Sequence, residues 1–142
     1  MVASKFSLSN SSVSSNAGHD IRILNGVTGK VDSCSPIESV FYASTNSQVT
    51  WTGNTFNNWG ALTSRVGAED LGGLIANNTI NKAGGASLEV STGTVRLDSE
   101  WTDAAGSPYV GHGDVNVVGT DGGDGVTTLT IQPGLDQRMA GN

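Results

Sequence analysis

Short runs of alternating apolar and polar residues recur along the chain, and most are bounded by Gly, Asn, Asp or Ser. Alternation with a period of two is typical of β-strands that bury one face, and the bounding residues favour tight turns. The run Asp20–Leu24 places Ile21 and Ile23 on one face, and Asn25-Gly26 then offers the residues of a hairpin turn. Further strands are predicted at Val27–Val31, Glu38–Ser44, Gln48–Trp51, Asp114–Val118 and Val126–Gln132.

The strongest hairpin prediction lies in the second half of the chain. Residues 87–90 and 94–98 both alternate, and Ser91-Thr92-Gly93 stands between them as a turn. Cross-strand pairs on one face stabilise such a hairpin, and the charged residues of the other face stay in water. The predicted buried face consists of Leu88, Val90, Val95 and Leu97.

One segment competes with the all-strand pattern. Leu71, Leu74 and Ile75 recur at helical spacing after an acidic pair. The dipeptide Gly72-Gly73 lies in the middle of this segment, and each glycine costs about 1 kcal/mol in a helix relative to Ala. We therefore expect at most one short helix, around residues 68–76.

These elements predict an all-β protein, an antiparallel β-sandwich or a jelly-roll-like domain. The length of 142 residues fits one domain. We place that domain at residues 19–134, after a flexible or edge-strand N-terminal arm at 1–18 and before a C-terminal tail at 135–142. No fixed-period repeat is visible, so a solenoid or propeller is not expected.

Charge and targeting signals narrow the classes of partner. The formal net charge is −6, and no cluster of Lys and Arg is visible, which argues against a nucleic-acid or anionic-membrane partner. The N-terminal residues lack the apolar core of a signal peptide, and no stretch is long enough to span a membrane. We therefore expect synthesis in the cytosol, with a virus particle or an extracellular assembly as later locations.

Candidate catalytic groups are few. The two histidines, His19 and His112, each have an aspartate close by, in His19-Asp20 and in His112-Gly-Asp114. Adjacency in sequence does not supply the hydrogen-bond geometry of a general base and its orienting group. The single cysteine, Cys34, has no partner for a disulfide or a CxxC motif and is expected to be a small buried residue. We do not expect an enzyme.

The segment Gly119–Gly125 is the candidate metal site. Its aspartates, Asp121 and Asp124, and its glycine carbonyls are the oxygen donors that Ca²⁺ prefers. The glycine-aspartate calcium repeat is matched only at its opening, because Thr127 stands where the next ligand would be. A metal-free hairpin loop is the favoured interpretation, and Ca²⁺ is kept as the alternative.

Aromatic residues are grouped in one polar stretch at residues 51–59. Aromatic rings next to amide side chains can stack on a sugar and hydrogen-bond its hydroxyls, but the same residues also serve as core or interface. The predicted sugar platform consists of Trp51, Asn54, Asn57, Asn58 and Trp59.

Two functional hypotheses remain, and no family resemblance extends over a useful length of the chain. The first is a structural subunit of virion type, such as a phage capsid-decoration, tail or filament protein, that self-associates or docks on a larger assembly. Exposed sheet edges need a partner, and a homo-oligomer provides one. The alternative is a lectin-like carbohydrate-binding module that uses the Trp51–Trp59 loop.

Overall fold

The chain winds as a parallel β-solenoid in the computed structural model. The structure describes residues 4–13, 19–24, 26–37, 40–43, 47–57, 64–81, 87–103, 109–119, 124–133 and 137–139. In chain order, the elements are β1 (Lys5–Ser9), β2 (His19–Ile23), β3 (Thr28–Asp32), β4 (Val40–Ala43), β5 (Gln48–Thr52), β6 (Thr55–Asn57), β7 (Ser64–Gly67), α1 (Ala68–Ala76), β8 (Thr79–Asn81), β9 (Leu88–Val95), β10 (Ser99–Trp101), β11 (Tyr109–Val117), β12 (Leu129–Ile131) and β13 (Gln137–Met139).

Successive coils stack so that their strands form three faces. The broad face is the six-stranded sheet in the order β13-β11-β9-β7-β4-β2. The narrow face contains β1-β3-β5 and β10-β12, with α1 between these two groups. The third face is β6-β8, which single bridges extend to Ile37 and Val13. All of these pairings are parallel, as expected when each coil follows the same path as the one before it.

In-register apolar residues fill the interior as columns, one or more for each face. On the narrow face, Leu8 pairs with Val31, which pairs with Trp51. On the broad face, Val66 pairs with Val90, and both are buried. The column of the third face is Val13, Ile37, Phe56 and Ile80. Each buried side chain of this size contributes about 1.5–3 kcal/mol, so the columns are the main stabilising feature.

The corner after the narrow face has the same backbone in three successive coils. Asn10, Ser33 and Gly53 occupy it with φ angles of 51°, 54° and 65°. The left-handed region suits Gly and tolerates Asn. The N–H group of each corner residue donates to a carbonyl of the following coil, on Asp32, Thr52 and Asn77 respectively. The chain is thereby turned and tied to its neighbour at one point per coil.

Buried amide side chains reinforce this corner. Asn54 is 1% exposed, and its Oδ1 accepts a hydrogen bond from the Cys34 N–H at 3.0 Å. Its Nδ2 donates to the Val31 carbonyl and to Asn78 Oδ1, at 2.9 Å and 2.8 Å. Asn78 in turn donates to the carbonyls of Trp51 and of the helix. The amides form a short ladder that links three coils.

Helix α1 takes the place of a strand on the narrow face. Asp70 Oδ2 accepts a hydrogen bond from the Val49 N–H of β5 at 2.9 Å, which satisfies a donor on the edge of that strand. On its other side, Gly72 lies against Ser99 and Glu100 of β10, so close that a Cβ atom would collide with the Ser99 hydroxyl. Leu71 and Leu74 enter the core. The helix lies where the short helix was predicted.

The predicted antiparallel β-sandwich or jelly roll is wrong. The protein is mostly strand with one short helix, but its sheets are parallel and form a solenoid. The predicted hairpin is one continuous strand, β9, which pairs in parallel with β7 and β11. Gly93 lies within this strand and makes no turn; its missing side chain leaves room for the Glu69 carboxyl. Leu97, predicted to be buried, is 65% exposed.

The expectation that the chain is not a solenoid is also wrong. Equivalent corner residues are separated by 20 residues between Cys34 and Asn54 and by 24 between Asn54 and Asn78. A repeat of variable length does not appear as a fixed period in the sequence.

The described part of the chain contains no helix that is long and apolar enough to cross a membrane.

Candidate functional site at the open ends of the solenoid

Within the described residues, the sheet order leaves an edge strand on each of two faces at both ends of the coil stack. We define the N-terminal end as β1 and β2, which are terminal strands of the narrow and broad faces. The C-terminal end is β12 and β13, which are the terminal strands at the opposite side of the same two faces. An edge strand presents backbone donors and acceptors that can pair with another chain. The two ends are therefore the candidate functional surfaces.

The hydrogen bonds of β1 show which of its backbone groups point outward. Thr28 N–H donates to the Ser4 carbonyl, and Asn10 N–H donates to the Asp32 carbonyl, both at 3.1 Å. In a parallel ladder a strand uses alternate residues toward a given neighbour. Even-numbered residues of β1 therefore bond to β3. The N–H and C=O groups of Lys5 and Ser7 and the N–H group of Ser9 point to the open edge, whereas the Ser9 carbonyl accepts a hydrogen bond from the Ser11 hydroxyl at 2.9 Å.

Apolar side chains close the interior at this end. Phe6 and Leu8 of β1 are half-buried and pack against the core, whereas Ser7 between them is exposed. The Phe6 ring lies directly over Gly29 of β3, where a Cβ atom would overlap it. The last apolar layer at the N-terminal end is thus only partly covered.

The C-terminal end has the same design on β12. Ser99 N–H donates to the Thr128 carbonyl, and Gln132 N–H donates to the Trp101 carbonyl, both at 3.0 Å. By the same alternation, the backbone groups of Leu129 and Ile131 point away from β10. Ile131 is 45% exposed, and Leu129 is half-buried against the core.

Exposed apolar side chains are concentrated in the second half of the chain. Of the large apolar residues that are exposed in the described part of the chain, only Leu24 lies in its first half. The others are Leu97, Val117, Val118, Val126 and Ile131, with exposures of 44% to 65%. Several lie on segments joined by hydrogen bonds, such as the one from the Val118 N–H to the Val95 carbonyl. Of these residues, Ile131 lies on the edge strand β12 itself, where exposed apolar surface favours association.

The outer surface of the broad face carries a charged cluster that joins three strands. Glu89 of β9 accepts a hydrogen bond from Arg65 Nε of β7 at 2.6 Å, and its other oxygen lies 3.1 Å from His112 Nε2 of β11. Glu89 is only 20% exposed, so its carboxylate is held between the two partners. The cluster pairs charges across strands. His112 thus meets Glu89, while Asp114 is exposed and His19 lies in β2.

The residues of the predicted sugar platform have different surroundings. Trp51 and Asn54 are each 1% exposed, and their side chains lie in the core and in the corner ladder. Asn57 is half-buried and accepts a hydrogen bond from Asn81 at 2.9 Å. Asn58 and Trp59 lie outside the described residues. Of the three described residues, Trp51 and Asn54 therefore offer almost no exposed surface to a ligand, and sugar binding stays a prediction.

The predicted calcium loop is described only in part. Asp124 is exposed, and its Oδ1 accepts a hydrogen bond from the Val126 N–H at 3.0 Å, as in an Asx turn. Asp121 lies outside the described residues. Among those that are described, no group of three or more His, Cys, Asp or Glu side chains could hold a metal ion. Calcium binding by this loop stays a prediction.

Sequence reasoning missed two half-buried carboxyl groups at the start of α1. Burial raises the pKa of Asp70 to about 7. The hydrogen bond from the Val49 N–H group lowers this pKa, and repulsion from Glu69 raises it. Burial also raises the pKa of Glu69, although hydrogen bonds from backbone N–H groups, including that of Thr94, lower it. No signal in the sequence distinguishes them from an ordinary acidic first turn of a helix.

A second missed feature, the corner, does have a sequence signal. Each copy begins with an apolar residue, followed by a variable residue, a turn residue and a small or amide residue. Another apolar residue follows two or three positions after the small or amide residue. The four copies are Leu8-Ser-Asn-Ser-Ser-Val13, Val31-Asp-Ser-Cys-Ser-Pro-Ile37, Trp51-Thr-Gly-Asn-Thr-Phe56 and Ile75-Ala-Asn-Asn-Thr-Ile80. Alignment of these segments, with coils of unequal length, would have indicated the solenoid.

The comparisons with known proteins add no functional assignment. Protein-family models, curated proteins and solved structures contain no match to this chain.

Proposed function

We propose that the protein is an assembly module that associates through the open ends of its solenoid. The observation that carries this proposal is the set of outward-pointing backbone groups on β1 and β12. Strand addition at such an edge supplies main-chain hydrogen bonds, and the side chains on either side of the strand supply selectivity. The assembly hypothesis is thus retained, with the edge strands of a parallel solenoid in place of those of an antiparallel sandwich.

The chemistry of the two ends supports association. In water, outward N–H and C=O groups are hydrated, so each added hydrogen bond contributes only about 0.5–1.5 kcal/mol. Burial of apolar side chains provides the larger gain, and Phe6, Leu8 and Ile131 retain exposed apolar surface at the ends. The backbone groups then set the direction and register of the contact.

A single proline tests the proposal at the N-terminal end. Ser7→Pro removes an N–H group that points to the open edge, and proline is tolerated at such edge positions. Ser7→Ala keeps that N–H group and is the matched control. We expect the mass of the wild type and of Ser7→Ala to rise with protein concentration in sedimentation velocity. Association of Ser7→Pro should be weaker by at least about tenfold, which corresponds to 1.4 kcal/mol.

Circular dichroism and thermal unfolding check that both variants keep the fold, because Ser7 N–H does not bond to β3. A wild type that remains monomeric at the highest attainable concentration would contradict the proposal. Equal association of Ser7→Pro and Ser7→Ala would show that the β1 edge takes no part.

A further inference from the structure

We infer that copies of this chain join head to tail, with the C-terminal end of one copy stacked on the N-terminal end of the next. This inference rests on the proposed function and specifies its partner as a second copy in one orientation. The edge strand β12 would lie beside β1 of the next copy, and β13 would lie beside β2.

The direction of the strands supports this orientation. Each coil passes from the narrow face to the broad face in the same sense, so all strands of a face run in one direction. A second copy moved along the solenoid axis therefore presents β12 parallel to β1 and β13 parallel to β2. The junction would have the same parallel pairing as the described strands of the chain. Two sheets would continue across it at once.

A two-fold arrangement does not achieve this. A two-fold axis that continues the narrow-face sheet from β1 to β1 of another copy is perpendicular to that sheet, so it reverses the strand direction and makes the pairing antiparallel. The same rotation carries the broad face away from its counterpart, since the three faces are not equivalent around the solenoid axis. One edge would then pair while the other stayed open. A head-to-tail contact is heterologous and propagates into a filament unless the chain curves enough to close a ring.

The outward groups of the two ends are also compatible in number and spacing. On β12 these groups belong to Leu129 and Ile131, and on β1 to Lys5, Ser7 and Ser9. Alternate residues of two parallel strands interlock in this way, as β1 and β3 do within the chain. Stacking would cover Ile131, which is 45% exposed, with the half-buried Phe6 and Leu8 of the next copy.

Complementary blocked variants test the orientation. Ser7→Pro blocks the N-terminal end, and Ile131→Pro removes an outward N–H group at the C-terminal end. In a head-to-tail contact each variant alone is monomeric, because its one free end finds only blocked partners. An equimolar mixture forms a 1:1 dimer and stops there, since the free C-terminal end of one variant meets the free N-terminal end of the other.

Sedimentation velocity with one variant fluorescently labelled measures these species. A 1:1 dimer in the mixture, with monomers in each separate sample, supports the inference. Dimers of either variant alone would indicate head-to-head or tail-to-tail contacts and would overturn it, while the proposed association would stand. A monomeric mixture beside an assembling wild type also overturns it.

Folding of the variants is checked by circular dichroism. If Ser7→Pro or Ile131→Pro is unfolded, Ser9→Pro and Ile131→Glu replace them, because they alter the same two edges. The same mixture with this second pair gives the same two outcomes. If the wild type never associates, the proposed function itself is contradicted. That result differs from both outcomes of the mixture experiment, in which the wild type does assemble.

Discussion

Single buried amides determine how the coils are held in register. Asn54 makes hydrogen bonds to the coil before it and the coil after it, and it is almost completely buried. A buried polar group is stabilising only when its hydrogen bonds are made. Asn54 satisfies this condition because the corner places Cys34 and Asn78 directly before and after it. A residue that would suit a sugar-binding loop is here a structural element of the fold.

Replacing this asparagine should destabilise the fold strongly. Asn54→Ala leaves the Cys34 N–H and the Val31 carbonyl without their partner, so we expect a loss of about 2–4 kcal/mol in the free energy of unfolding. Urea unfolding followed by circular dichroism measures it. Asn57→Ala is the control, because its hydrogen bond to Asn81 is exposed and should contribute under about 1 kcal/mol. Equal losses in the two variants would contradict a special role for the corner ladder.

Asp70 should make the stability of the protein depend on pH. Its pKa is raised from 3.8 to about 7 in the folded chain, so the folded state binds a proton that the unfolded state has lost between these values. The free energy of unfolding therefore falls as pH rises from about 4 to above 7. Each unit of pKa difference corresponds to about 1.4 kcal/mol.

Asp70→Asn should remove this dependence, because the amide oxygen still accepts the hydrogen bond from Val49 and carries no charge. We expect the variant to equal the wild type at pH 4 and to exceed it by about 2 kcal/mol at pH 8. Urea unfolding at both pH values measures the difference. Asp114→Asn, at an exposed position of β11, controls for the change in net charge. A constant difference between the two proteins at all pH values would contradict this prediction.

At the scale of the elements, α1 shows how a helix can fill the position of a strand. Its backbone cannot continue the sheet, because its N–H and C=O groups bond within the helix. Asp70 supplies an acceptor to β5, and Gly72 allows close approach to β10. The two glycines that weakened the helix prediction therefore have different roles. Gly72 lies at the packing contact with β10, whereas Gly73 is exposed.

The two adjacent glycines provide a matched test of this packing. Gly73→Ala places its Cβ atom 3.9 Å from Asn77 Nδ2, an ordinary contact distance. The substitution should stabilise the protein by about 0.5–1 kcal/mol through helix propensity. Gly72→Ala places it against the Ser99 hydroxyl and 3.3 Å from the Glu100 carbonyl, so we expect a net destabilisation. Thermal unfolding compares them, and equal shifts in Tm would show that α1 does not pack closely on β10.

At the scale of the whole molecule, the open ends follow from the architecture. A solenoid buries its interior by stacking coils. In the described part of this chain, the outermost strands of the stack each lack a neighbour on one side. Natural edge strands avoid uncontrolled pairing by being short or charged. Here β12 and β13 are short, whereas β1 spans five residues and carries Lys5 at its start. The ends are thus restrained but remain able to pair.

The amino-acid sequence determined the local features of this protein. Alternation predicted a strand-rich chain, and the spacing of Leu71, Leu74 and Ile75 predicted the position of α1, because both patterns depend on residues close in sequence. The candidate site could be anticipated only as a general need for edge strands to find partners. The predicted N-terminal arm at 1–18, a flexible segment or an edge strand, includes β1. The sequence did not single out β12, because an edge is defined by which strand lacks a neighbour.

The tertiary structure alone decided the direction of pairing and the burial of individual polar groups. A strand alternates in the same way in parallel and antiparallel sheets, so the pattern at Leu88–Val95 fitted a hairpin as well as one strand of a solenoid. The burial of Asn54 depends on partners 20 and 24 residues away, which local patterns do not contain. Coils of unequal length conceal that spacing in the sequence, and only their stacking in three dimensions brings the corner residues together.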